Sequence, residues 1–334
     1  MIMDGKEELV LVVTDDHDIS ADLVIEELNQ RGVRLARLDP WLPGVPATVR
    51  LGPDGTVTGM IGDVRLEDVT AVWWRRPTPF VSHLADPMAA QWCMDEHKRG
   101  LAAALWALEA RWLNHPAANL ACTKPAQLVA ASQVGLRVAD TMITNVPAAA
   151  IAFAAEEPTV TKAFHGSPNA VGDSSVMPLV WTRKADPAEI DDGVRLTGHA
   201  FQRRVRAVAD IRMTVVGRRH FTAIAPTLAL DWRSTDIPAS FSALDSGAIP
   251  DGILYSVLDL MGHFGLGYGA LDFGMDAEGR WTFYELNANG EFGFIQYPTG
   301  LSVAQAIADE LTGRGRLTPT RNPAHGQFWR MGRM

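Results

Sequence analysis

The stretch LDFGMDAEGRWTFYELNANGE, Leu271–Glu291, reads as a strand, a turn and a second strand. Strands are expected at Gly267–Gly274 and Trp281–Leu286, with the turn residues Asp276–Gly279 between them. Glu285 and Asn287 stand two apart, so they share one face of their strand. If the strands pair across the turn, Asp272 joins them on that face. Two carboxylates and an amide oxygen make an all-oxygen set that suits Mg2+ and leaves coordination positions for phosphate oxygens and water. Asn289, just past the strand end, is placed to add another donor. The competing interpretation is a solvated polar face beside a turn. Against it, the flanking Leu271, Phe273, Phe283 and Leu286 are apolar, so the acids occupy strands that are otherwise buried.

A magnesium site of this kind serves a nucleotide, whose phosphates call for cations remote in sequence. Lysine is scarce: it stands only at positions 6, 98, 124, 162 and 184, and the rest of the Lys+Arg total is arginine. Lys124 falls in the first turn of a helix expected from Thr123 to Val134, where a cation opposes the helix dipole. That placement makes sense if Lys124 and the helix N-terminus face a phosphate together. Lys162 lies in the strand Val160–Phe164, which leads into the soft stretch HGSPNAVGDSS, His165–Ser175. Backbone N–H groups at Gly166, Gly172, Ser174 and Ser175 are candidates to fold over a polyphosphate. Either lysine alone reads equally as a surface residue; beside the acid set they point to a site.

Phe201–Gly217 (FQRRVRAVADIRMTVVG) is basic within an acidic chain, with Arg203, Arg204, Arg206 and Arg212 against Asp210. Alternation puts Arg212 on the face opposite Ile211 and Met213, where it suits the charge developing on a transferred phosphate. The alternative is a basic edge strand that discourages aggregation. Gln202 is a candidate adenine-edge reader.

Outward from these segments, Leu9–Thr14 (LVLVVT) has the continuous apolar character of a doubly buried strand. Asp18 or Ser20 caps a helix with Ala21, Val24, Ile25 and Leu28 on one face; Gly32 closes it and Val33–Leu38 is the next strand. This is a right-handed parallel crossover. Asp15-Asp16-His17-Asp18 reads as a capping and turn cluster. Val45–Val64 suggests a hairpin turning at Gly52–Gly55, and Ala71–Arg75 is a strand ended by Pro77. A long helix starting near Asp86 carries Leu101, Leu105, Leu108 and Trp112 on one face. Further on, His199–Val205, Ile211–Val216 and Phe221–Pro226 read as antiparallel strands, and Pro250 begins a helix that Gly265 stops. Ser302 and Gln305 form a capping box for the last helix, ended by Gly313. The expected organisation is an α/β domain over 1–115, a second unit over 116–313, and a flexible basic tail over 314–334.

At ~150 residues per domain, 334 residues correspond to about two domains. With 47% hydrophobic and 21% charged residues, the chain is neither disordered nor of low complexity. A net charge of −9 argues against a nucleic-acid partner. Cys93 and Cys122 are too few for a disulfide framework or a thiolate zinc site and read as packing residues. Asp4, Glu7 and Glu8 precede the first apolar run, unlike a signal peptide, and Leu101–Leu108 is far short of the ~20 residues of a membrane span. A cytoplasmic protein with no membrane partner is expected. Gly265-Leu-Gly267-Tyr-Gly269 follows a helix and enters a strand, the reverse of a dinucleotide fingerprint, so NAD and FAD are rejected.

Taken in order, Lys124, Lys162 with its glycine-containing loop, Gln202, Arg212, Asp272 and Glu285-Leu-Asn287-Ala-Asn289 resemble the ATP-grasp superfamily over roughly residues 9 to 312. Within it, Asp210-Ile-Arg212-Met-Thr-Val-Val-Gly217, Asp231-Trp232-Arg233, Gly269-Ala-Leu-Asp272-Phe and Trp73-Trp74-Arg75-Arg76-Pro77 are similar to the ribosomal peptide maturases. These are the graspetide (microviridin-type) macrocyclases, in particular their actinobacterial branch. The resemblance implies an α/β (α+β) chain with the ATP-grasp fold and an N-terminal Rossmann-like pre-ATP-grasp domain. It implies ATP and Mg2+ as cofactors and a ribosomal precursor peptide, leader and core, as partner. The activity implied is ligation: phosphorylation of an Asp or Glu side chain, then an ester or amide cross-link to Thr, Ser or Lys.

By the same resemblance Asp272, Glu285 and Asn287 carry the metals. Lys124, Lys162 and Arg212 hold the phosphates, with Lys162 and Arg212 catalytic. Gln202, Arg203 and Val205 line the adenine, although Arg203 stands where many such hinges have Glu. Arg233, Asp231 and Arg204 meet the peptide, and a homodimer is implied. Two other readings stay open: a ligase of free amino acids or small peptides, like glutathione synthetase, and a degenerate peptide-binding module.

Overall fold

In the computed structural model, which describes residues 9–164, 182–227, 230 and 240–314, Leu9–Thr14 (β1) is buried at every position. Asp18 caps Ile19–Gln30 (α1), its carboxylate accepting from the Ala21 amide. Leu35–Leu38 (β2) then pairs parallel with β1, as the crossover requires. Ala47–Leu51 (β3), Val57–Ile61 (β4) and Val64–Arg65 (β5) form the expected antiparallel excursion. Val69–Arg76 (β6) returns to the other side of β1.

The helix from Asp86 is shorter than its apolar period suggests. Pro87–His97 (α2) passes through a π-helical turn at Lys98–Ala102 into Ala103–Trp106 (α3). The chain then extends at Arg111–Trp112 (β7), which pairs parallel with β6. Gly100 weakens helix propagation at the turn. Trp112 reaches the Trp74 ring from its strand position, with centroids 6.4 Å apart. Leu105 and Leu108 do bury, beside Ile61 and Leu66.

Pro116–Ala121 (α4) and Lys124–Gln133 (α5) lead into a second sheet. Thr141–Thr144 (β8), Pro147–Glu156 (α6), Thr159–Lys162 (β9), Arg183–Lys184 (β10) and His199–Arg203 (β11) build it, in the strand order β10-β9-β11-β8. Its own small core is Ala150 and Phe153 of α6 with Val194 and Phe201. Contrary to expectation, β11 ends at Arg203 and does not neighbour the strands that follow it. Ala209–Val216 (β12) and Arg219–Pro226 (β13) belong to a separate sheet, completed by Ser242–Ala243 (β14), Tyr268–Met275 (β15) and Trp281–Asn287 (β16). Ile253–Phe264 (α7), Gly293–Thr299 (α8) and Val303–Leu311 (α9) are the remaining helices described.

Neither Thr123 nor Ser302 makes a side-chain cap bond. At α9 the first-turn amide of Ala304 is met instead by Gln296 Oε1 of α8, at 2.9 Å. No helix among the described residues is long and apolar enough to cross a membrane.

Two cores clasp the five-stranded sheet. On one side Ile211, Met213, Leu271, Phe273, Phe283 and Leu286 pack on α5 and α7. On the other, Val216, Ala223 and Tyr268 share a cluster with Val10, Val12 and Trp73 of the N-terminal sheet and with Ile307 of α9. The ends of β1 and β6 are thereby brought beside the turn after β16.

Candidate active site

Phe283 and Leu286 both point into the core although they are three residues apart. The cause is a β-bulge: Phe273 pairs with Phe283 but Asp272 pairs with Glu285, leaving Tyr284 as an extra residue. Glu285 therefore stands beside Asp272, and Arg212 pairs with Asp272 from the other side. Arg212 Nη1 donates to both Asp272 oxygens, at 2.8 and 3.0 Å, and Nη2 donates to the Glu291 carbonyl at 2.9 Å. The arginine is only 6% exposed. Gly290 makes room for it, because a Cβ there would lie 2.7 Å from Arg212 Nη2 and 2.4 Å from the Ala270 Cβ.

Lys124 opens α5 beside this row. Its Nζ donates to the Ala163 carbonyl at 2.9 Å and lies 3.4 Å from Glu285 Oε2. It thus spans from the metal-type strand to the end of β9. Lys162 sits 5.0 Å above the Tyr284 ring. Burial, with Asp210 and Asp272 nearby, raises the Tyr284 phenol well above its ordinary range. A cavity of about 830 Å3 is lined by Asn119, Lys124, Ile143, Glu285, Asn287 and Asn289, among others. Asn119 Nδ2 donates to Asn289 Oδ1 at 3.4 Å across its wall. Another cavity, of about 630 Å3, lies by Glu67, Arg111 and Glu310, away from these groups.

The basic strip divides. Ala200 pairs with Lys162 and Gln202 with Val160, so Gln202 and Lys162 share one face of their sheet. Gln202 is buried and donates through Nε2 to Thr141 Oγ1 at 2.8 Å. Arg203, one residue on, faces α6: its guanidinium lies 3.6 Å from the Phe153 ring centre and is ion-paired with Glu156. The structure does not bring Arg203 into the site, because strand alternation turns it away. Arg204 is exposed and Val205 half-buried beyond the strand end. Asp231, Trp232, Arg233 and the stretch His165–Ser175 lie outside the described residues, as do residues 315–334 of the tail.

Sequence reasoning assigned no role to the groups that hold the row in place, although it singled out the segment that contains Arg75 and Arg76. Gln127, one turn along α5 from Lys124, accepts from the Leu286 amide at 2.9 Å and donates to its carbonyl at 2.8 Å. Asn114 donates to the carbonyls of Tyr268 and Ala288, at 2.8 and 3.0 Å. Arg75 and Arg76 reach Glu291 and the Asn289 carbonyl from β6. A charged pair closing the apolar run Val72-Trp73-Trp74 was the available signal.

Among the described residues no cluster of three or more His, Cys, Asp or Glu side chains forms a metal cage. Asp272, Glu285 and Asn287 offer two carboxylates and an amide instead. Glu285 and Asn287 line the cavity that Lys124 also faces, with Asp272 paired beside Glu285, and this donor set fits a hard cation carried by polyphosphate.

No protein-family model matches the chain, and no curated protein matches it. Solved structures do. The macrocyclase MdnC of Microcystis aeruginosa, bound with the precursor peptide MdnA, superposes with a TM-score of 0.80 at 27% identity, covering 92% of this chain and 100% of that one. The fold is that of the ATP-grasp enzymes. The macrocyclase MdnB of the same organism gives a TM-score of 0.74 at 26% identity, covering 91% and 99%. A RiPP-associated ATP-grasp ligase of Chryseobacterium gregarium, in complex with ADP and a leader and core peptide, gives 0.79 at 22%, covering 95% and 99%. The resemblance to ATP-grasp peptide maturases thus holds over most of the chain.

Proposed function

We propose that this chain is an ATP- and Mg2+-dependent ligase that cross-links a ribosomally made precursor peptide. The observation that carries the reading is the Arg212–Asp272–Glu285 row with Lys124 across it, within a chain that two macrocyclases match over 92% and 91% of its length. ATP with Mg2+ supplies a phosphoryl group to an Asp or Glu side chain of the peptide; a Thr or Ser hydroxyl or a Lys amine then displaces phosphate to give an ester or amide. Asp272, Glu285 and Asn287 would hold the metal. Lys124 and Lys162 would bind and orient the phosphates. Arg212 would offset charge developing at the transferred group. Gln202 and Val205 remain the adenine-side candidates, and Arg233, Asp231 and Arg204 those for the peptide. The protein is proposed to work in the cytoplasm as a homodimer.

The test is a thermal-shift titration with a non-hydrolysable ATP analogue, with and without Mg2+, on wild type and Glu285→Gln. The wild type gains about 2.7 kcal/mol at a hundredfold excess over Kd, only with both ligands present, and the variant loses that gain. Incubation with Thr- and Asp/Glu-rich peptides and ATP then yields masses reduced by water. If neither protein responds, the acids are structural and the ligase reading falls.

A further inference from the structure

The charges beside the metal-type row continue into the N-terminal sheet. Arg75, near the end of β6, has a fully buried side chain. Its Nε lies 3.1 Å from Asp18 Oδ2, and its Nη2 lies 2.8 Å from Glu291 Oε1. Its Nη1 donates to the carbonyls of Asn289 and Gly290, the latter at 3.2 Å. Arg76 pairs with Glu291 and donates to the Asn289 carbonyl at 3.1 Å. The Ser20 hydroxyl donates to the second Glu291 oxygen. The side chain of Glu291 is therefore gripped from α1 and β6, while its carbonyl accepts from Arg212, the guanidinium that holds Asp272.

Asp18, Glu291 and Asp272 balance Arg75, Arg76 and Arg212, so the circuit closes without net charge. Arg212 holds Asp272 through Nη1 and the Glu291 carbonyl through Nη2, and Arg75 holds two carbonyls of the turn through Nη1. Such charge-assisted hydrogen bonds fix direction as well as distance, and groups behind metal ligands orient them. We propose that Arg75 and Glu291 are positioning residues for metal binding. They set the turn after Asn287 and, through the Glu291 carbonyl, the angle at which Arg212 meets Asp272. The N-terminal sheet in this way completes a site whose donors all come from the other sheet. The inference rests on the metal reading of Asp272, Glu285 and Asn287.

The experiment titrates Mg2+ into full-length protein at a fixed, saturating concentration of non-hydrolysable ATP analogue and reads the melting temperature. Glu291→Gln keeps the shape and removes the charge; Arg75→Lys keeps the charge but cannot reach Asp18, Glu291 and the turn carbonyls together; Ser20→Ala removes one bond to Glu291. Half-saturating Mg2+ is expected to rise about 10- to 100-fold in Glu291→Gln and Arg75→Lys, the usual effect of losing such outer partners, and by less in Ser20→Ala. A purely structural role would lower the ligand-free melting temperature and leave half-saturating Mg2+ where it was, which overturns the proposal. Should the first two variants not fold, Ser20→Ala decides by the same criterion. A wild type that ignores Mg2+ and nucleotide together overturns the ligase reading and this inference with it. A responsive wild type with unmoved variants overturns this inference alone.

Discussion

Gln127 serves Leu286 as a neighbouring strand would, taking its N–H and giving to its C=O from a helix. Leu286 lies between Glu285 and Asn287, so this one amide fixes both flanking donors. Replacing it by leucine removes this partner from three backbone groups, the Leu286 N–H and C=O and the Cys122 C=O, at about 1–3 kcal/mol for each left unpaired, and the urea midpoint of Gln127→Leu should fall accordingly. An unchanged midpoint would mean that water or a shifted backbone meets those groups. Asp276 gives the pH counterpart. Burial opposes its ionisation, yet hydrogen bonds from the Arg280 backbone, Arg137 and the Arg280 side chain bring it from 3.8 to about 2. Its folded-state value lies below the unfolded one, so its contribution is present above about pH 4 and lost as pH falls toward 2. Acid unfolding of Asp276→Asn should lack that portion of the pH dependence; identical acid curves would contradict it. At this scale Asp272, Glu285, Asn287 and Lys124 were legible, because acids in apolar strands and a cation at a helix start are anomalies in one dimension. Gln127 was not. A lone polar residue on a helix carries no mark of the strand it serves.

Elements succeeded where their signals were local and failed where two sheets compete for one strand. β1, α1, β2 and the β15–β16 pair followed from apolar runs, Asp18 and the Asp276–Gly279 turn. β11 is as apolar at Phe201 as the later strands, but Phe201 buries against α6 and not against the central sheet, a choice made by tertiary packing. The spacing of Trp112 from Leu108 fits a helix equally well, and pairing with β6 beside Trp74 explains the strand. The small core of the β8–β11 sheet predicts uneven protection: amides of β9 and β11 should exchange faster than those of β12 and β15. Equal rates would show that this sheet is not the weaker part. At the turn after β16, Gly290→Ala forces either Ala270 or Arg212 to shift. It should cost about 1–3 kcal/mol in stability, as overpacking does, and reduce nucleotide-dependent stabilisation beyond that. A variant that binds as wild type would show that Arg212 relocates freely.

For the whole molecule, the shared cluster of Val10, Val12 and Trp73 with Val216 and Tyr268 leaves the N-terminal and central sheets no separate apolar interiors on that side. Amides of β1 and β12 should therefore report one common opening free energy in denaturant-dependent exchange. Two well-separated values would mean that the sheets unfold independently. The bulge at Asp272 has a consequence of another kind. Tyr284 is the surplus residue: the bulge absorbs it, so the strand beyond keeps the face that the partner strand sets. Exchanging Tyr284 for another large residue alters a contact. Forcing it into regular pairing opposite Asp272 would turn Glu285 and Asn287 toward the hydrophobic interior and present Leu286 in their place, whereas omitting it leaves Glu285 opposite Asp272. The face these donors occupy is therefore held by the kink itself and not by the number of residues in the strand.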